Sequence, residues 1–103
     1  MQSPVPIEAP KWFAEGQEKR LRFVEHKADP FGDEIAIRIQ AGDKDEEAIV
    51  PARAVDLENR TVLAWLIGEV GGDLLLSLPA SSLGMRRLRL SREDLHTLTE
   101  KEE

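Results

Sequence analysis

Four arginines, Arg86, Arg87, Arg89 and Arg92, crowd the segment GMRRLRLSRED (residues 84–94) of a chain whose formal net charge is −6. A guanidinium is planar, permanently charged and bidentate toward carboxylate or phosphate, so the cluster suits an acidic protein surface or a nucleic-acid backbone. Phosphate grips usually interleave aromatic side chains or surround the cations with more lysine and arginine. Here the aromatics lie elsewhere, and Glu93 and Asp94 dilute the field. The cluster therefore points to a protein partner first and to nucleic acid second. The plainer alternative is a solvent-facing strand whose arginines pair with acidic residues of neighbouring segments. Trp12 and Phe13 form a lesser candidate surface, an aromatic pair that either anchors a partner or folds back to plug one end of the core.

Other chemistry finds less support. A nucleophilic site needs a histidine oriented by a carboxylate beside a serine, threonine or cysteine. The chain has two histidines, His26 near a strand end and His96 beside Glu93 and Glu100, with no Gly-x-Ser-x-Gly elbow. Both read as solvated. The acidic run DKDEE (residues 43–47) lacks the glycine and the distal glutamate that an EF-hand calcium loop requires at its sixth and twelfth positions. It reads as a hairpin tip. Gly68, Gly71 and Gly72 precede no Gly-Lys-Ser/Thr, so they form no phosphate loop. The expectation is a non-enzymatic binding or accessory module without metal or cofactor; a small enzyme or enzyme subunit ranks third.

These residues must be held by a single small domain, because 103 residues leave no room for a second independent core. Cysteine is absent, which excludes a disulfide framework, thiolate zinc sites and a cysteine nucleophile, and favours a cytoplasmic address. The N-terminus lacks the basic start and apolar run of a signal peptide. The longest nearly apolar stretch, residues 62–68, is too short to span a bilayer. An acidic surface also disfavours binding to nucleic acid or anionic membrane through the protein's overall field.

Residues 1–19 carry Pro4, Pro6 and Pro10 and read as an extended arm. From Arg20 the hydrophobic period becomes two. RLRFVEH sets Leu21 and Phe23 against Arg20 and Arg22, and EIAIRIQ sets Ile35, Ile37 and Ile39 inward, as in half-buried antiparallel strands. EAIVPARAV reads as an edge strand, or one bent at Pro51, since proline cannot donate to a ladder. TVLAWLIGEV is apolar on both faces and calls for a central place, covered by the N-terminal arm, the C-terminal helix or a second copy of the chain. Gly71-Gly72 marks a tight hairpin leading to Leu74, Leu76 and Leu78. In the arginine strand, a bulge near Gly84–Arg87 would turn Met85, Leu88 and Leu90 inward and leave Arg87 and Arg89 outside. Ser91 and Asp94 then resemble a capping box for a two-turn helix carrying Leu95 and Leu98. The tail of residues 99–103 is acidic and solvated.

The sum is an all-β, mainly antiparallel domain over residues 20–98. Its five to six short strands form a bent sheet or partly open barrel closed by a short C-terminal helix. The run VLAWLIGEVGGDLLLSLP resembles the central hairpin of SH3-like barrels. The overlapping stretch GEVGGDLLLSLPASSLGMRRLRL is similar in rhythm to the later strands of PilZ domains. That family's Asp/Asn-x-Ser-x-x-Gly signature is missing, however, and Arg20 and Arg22 do not match its R-x-x-x-R spacing. No nucleotide-binding residue carries over.

Overall fold

The computed structural model describes Ile7, Ala9, Phe13, Ala14 and residues 17–28, 32–82 and 84–99. Eight strands and one helix follow in chain order: β1 (Glu18–Arg22), β2 (Glu25–Ala28), β3 (Glu34–Ala41), β4 (Lys44–Pro51), a 3-10 turn (Ala52–Ala54), β5 (Val55–Asp56), β6 (Thr61–Val70), β7 (Asp73–Ser77), β8 (Arg87–Leu90) and α1 (Arg92–Thr99). They build two antiparallel sheets. The first has the order β1-β6-β7-β8, with β5 also paired to β6; the second has the order β2-β3-β4. The all-β architecture with a short C-terminal helix is thus the one the alternation predicts. Strand β1 begins at Glu18, inside the stretch read as an arm.

Among the described residues, eight strands replace the expected five or six because two apolar segments are each divided by a bend. In the first, the chain changes sheets at Phe23 and Val24. The Phe23 N–H donates to the Arg60 carbonyl at 3.0 Å on the side of the first sheet, and the Val24 N–H donates to the Arg38 carbonyl at 2.9 Å in the second. In the second, Pro51 ends β4, and the 3-10 turn delivers β5 to the other sheet. Proline supplies the break because it has no N–H for a continuing ladder.

The core lies between the sheets. Ile35, Ile37 and Ile39 of β3 and Leu74 and Leu76 of β7 are buried at alternate positions, and each fully buried leucine or isoleucine contributes roughly 1.5–3 kcal/mol relative to exposure. Strand β6 is central, as its two apolar faces require. Val62 pairs with Leu21 on the inner face, while Leu63 and Trp65 lie on the outer face beside Arg20 and Glu18. The ring of Phe13 covers Trp65 edge to face, with centroids 6.1 Å apart, and Ile7 packs against the same core. Phe13, from the stretch read as an arm, therefore supplies cover for this face. Past a register shift between Leu66 and Gly68, the end of β6 stays paired with β7 but is exposed at Gly68, Glu69 and Val70.

Helix α1 starts at a serine cap: the Asp94 N–H donates to Ser91 Oγ at 3.0 Å. Leu95 and Leu98 are buried, and the Arg22 guanidinium of β1 donates to the Thr97 carbonyl. Among the described residues no helix is long and apolar enough to cross a membrane.

The sheets do not close into a barrel. The bent β1–β2 passage joins them on one side, and β4 and β8 each end their own sheet. The structure also corrects the expected bulge. The segment before β8 is a tight turn, with Ser81 and Gly84 exchanging backbone hydrogen bonds at 3.0 Å and Gly84 at φ 98°. Because β8 starts only at Arg87, Met85 escapes the inward parity and is exposed.

Candidate functional site

The predicted arginines are placed by β8 and its two ends. Along β8, Leu88 and Leu90 are buried and Arg87 and Arg89 are exposed, so strand alternation fixes the outer pair as expected. They share the outer face of the first sheet with Leu75 and Ser77, their register partners on β7. Arg89 Nε donates to Asp73 Oδ2 at 2.9 Å. Trp65 is the register partner of Ser77, so the Phe13–Trp65 pair lies on this same face. Trp12, the other aromatic candidate, lies outside the described residues.

Arg86 and Arg92 leave this stripe. Arg86 sits before β8 and reaches the second sheet, where its Nη2 pairs with Glu46 Oε2 of β4 at 2.7 Å. An inward-parity arginine is thereby satisfied at the rim of the fold, with no bulge needed. Arg92, in the first turn of α1, pairs with Glu69 of β6. The cluster therefore divides into two outward arginines and two that tie β8 and α1 to neighbouring strands.

A hollow of about 670 Å³ opens beside these residues. On one side it is lined by three successive cross-strand rows of the second sheet, including Arg38, Glu47 and Ile49. Ser81, Gly84, Met85 and Arg86 line the other. A second hollow, of about 440 Å³, continues past Glu46, Arg89 and Asp94. The Arg86–Glu46 pair stands where the two meet, since Arg86 lines the first and Glu46 the second. Met85 is 46% exposed at the lip.

The electrostatics of this region are a mosaic. Arg38 is the half-buried centre of one group, bonded to Glu25 at 2.8 Å and to Asp45 at 3.2 Å. Its hydrogen bond to the Glu25 carboxylate, supported by Asp45, holds the guanidinium above its ordinary pKa. Glu34, one strand end away, accepts hydrogen bonds from the backbone and hydroxyl of Ser82, at 2.7 Å and 2.5 Å. These contacts fasten the turn of residues 81–84 to the second sheet.

Sequence reasoning missed the role of β4. The acidic run of residues 43–47 was expected to be a hairpin tip, but only Gly42 and Asp43 form the turn, and Lys44–Glu47 are already strand. Glycine at φ 64° makes that two-residue turn feasible. The signal was present as Gly-Asp, a strong tight-turn pair, which would have extended β4 backwards. Both histidines are exposed; His26 rests edge to face on Phe23, and His96 lies on α1. Among the described residues no group of three or more metal-ligating side chains is assembled. No protein-family model, curated protein or solved structure matches this chain.

Proposed function

We propose that this protein is a small non-enzymatic binding module that acts by protein–protein interaction. The observation that carries the reading is the exposed Met85 at the lip of an open hollow, flanked by arginines already matched to carboxylates. Methionine and arginine are enriched at protein interfaces. Arg86, Arg89 and Arg92 each have an acidic partner from another segment. A field divided in this way favours a polar protein surface over a phosphate backbone, which needs uncompensated cations.

Nucleic-acid binding through Arg87 and Arg89 is the second reading, favoured by the outward, adjacent placement of the two side chains. The SH3-like likeness rests on the β6–β7 hairpin pattern alone, while a cytoplasmic address rests on the lack of cysteine. An enzymatic role as a subunit stands third, resting on the two accessible histidines.

A tagged pull-down with and without nuclease separates the first two readings. Nuclease-resistant capture of a protein, lost in the Met85→Ala/Arg86→Glu variant, supports the module and the Met85 hollow. Loss in Arg87→Glu/Arg89→Glu instead moves the partner to the outer face of β8. Nuclease-sensitive capture, with retention on an RNA or DNA column that falls steeply with salt, replaces it with the second reading.

A further inference from the structure

Strand β4 carries an unused hydrogen-bonding edge whose direction follows from the ladder. The Ala52 N–H donates to the Asp33 carbonyl at 2.9 Å, and the Val24 N–H donates to the Arg38 carbonyl at 2.9 Å. Odd-numbered residues of β3 therefore turn their peptide groups toward β4, and even-numbered ones turn theirs toward β2. Antiparallel pairing alternates in the same way on the facing strand. Ala48, paired with Ile37, and Val50, paired with Ile35, thus spend their N–H and C=O groups on β3. Asp45, Glu47 and Ile49, paired with Gln40, Arg38 and Ala36, direct theirs away from it. Among the described residues β4 pairs with no strand except β3.

Bare edges of this kind accept an additional strand unless something guards them. A second copy of β4 is a poor candidate, because antiparallel self-pairing centred on Glu47 sets Glu47 against Glu47. Asp45 and Glu46 already answer Arg38 and Arg86, which leaves Glu47 as the open carboxylate of this edge and selects a basic residue beside it. The molecule already contains the matching contact: Arg86 crosses to Glu46 from outside the second sheet. Glu47 forms no ion pair among the described residues. A strand laid along this edge would present alternate side chains to Asp45, Glu47 and Ile49. The intervening ones would face Ala48 and Met85 in the hollow.

We propose that the outward edge of β4, at Glu47 and Ile49, captures an extended protein segment of alternating basic and apolar residues as an added β-strand. This rests on the protein-binding reading above and adds to it the site, the mode and the partner's chemistry. Backbone hydrogen bonds supply register and affinity, and the Glu47 carboxylate selects for lysine or arginine.

The test is a titration of the whole chain with a synthetic peptide of alternating arginine and valine, followed by amide NMR. The amides of Glu47 and Ile49 should shift most, and their exchange with solvent should slow by about tenfold at saturation. A peptide N-methylated at every residue has no N–H to give the ladder and should not bind, nor should a glutamate–valine peptide. Glu47→Lys should weaken the arginine peptide by about fivefold or more. Ile49→Pro should abolish its binding with the β3–β4 ladder intact, because the lost N–H points outward. Absence of binding at millimolar peptide, largest shifts on β2 or β8, or equal binding of the N-methylated peptide would overturn the proposal. Failure here is separable from failure of the module reading. If Glu47→Lys captures a cellular protein as well as the parent chain does, the module stands and this edge is not its site.

Discussion

Arg86 and Glu46 lie forty residues apart in the chain, yet meet at 2.7 Å across the gap between the two sheets. The contact places an inward-parity arginine at a rim where a carboxylate from the facing sheet awaits it. Both side chains remain partly solvated, at 46% and 34% exposure. Water and counterions therefore screen the pair, and its task is to hold the spacing of the cleft rather than to sustain the fold.

A double-mutant cycle with Arg86→Ala and Glu46→Gln should accordingly give a coupling of about 0.2–1 kcal/mol, shrinking as salt is added. Melting temperature should change little. Hydrogen exchange of the β4 amides bonded to β3, such as Ala48 and Val50, should likewise change little. A coupling well above about 2 kcal/mol would mean that the pair is shielded from solvent and contributes to folding directly.

Leu76 has no exposed surface, whereas Leu75, on the opposite face of β7, is only half-buried. Leu76→Ala should cost about 2–5 kcal/mol in urea unfolding, a large share of the stability of a domain this small. Leu75→Ala should cost distinctly less. Equal losses at the two positions would contradict the face assignment that the whole sheet order rests on.

That face assignment was legible from sequence because burial imposes period two. The isoleucines of β3 and the leucines of β7 declare which side they occupy, and Gly71-Gly72 and Ser91 mark where the chain turns and where the helix starts. What alternation does not carry is the interruption of a strand. Nothing in RLRFVEH marks the crossing at Phe23–Val24, because that bend is set by two carbonyl acceptors, Arg60 and Arg38, from different sheets. Arg86 was misread for a related reason. Local parity made it an inward residue in need of a bulge, and its remedy lies with Glu46 on a distant strand. The candidate site was legible only in part: Arg87 and Arg89 follow from alternation, but the edge of β4 depends on which strands end a sheet.

Gly71 and Gly72 provide a paired test of the β6–β7 hairpin, at φ 58° and 88°. A Cβ on Gly71 would stand 2.9 Å from Arg89 Nη2, whereas one on Gly72 would meet nothing within 4 Å. Both Gly→Ala changes incur the penalty of a left-handed backbone, about 1 kcal/mol. Gly71→Ala should also push Arg89 away from Asp73, visible as a changed Arg89 Nε resonance that Gly72→Ala leaves alone. If both variants left that resonance unmoved, the contact between Gly71 and Arg89 would not hold in solution.

The β5–β6 turn supplies the pH-dependent prediction. Asp56 accepts hydrogen bonds from the Asn59 side-chain amide at 2.8 Å and from the Asn59 backbone N–H at 3.1 Å. These bonds favour the carboxylate, with the side-chain one the larger cause, and hold Asp56 below the ordinary aspartate pKa. A carboxyl depressed on folding contributes stability that is fully present above its unfolded pKa. That contribution is lost as pH falls through the folded value. Stability should therefore decline on acidification below the ordinary aspartate range, and the Asp56 share of that slope should disappear in Asp56→Asn. Carbon-detected NMR titration should find Asp56 below a free aspartate, and Asn59→Ala should raise it toward the ordinary value. An Asp56 pKa that ignores the loss of Asn59 would show that the side-chain bond does not persist in solution, and the pH slope would then have to arise from other carboxylates.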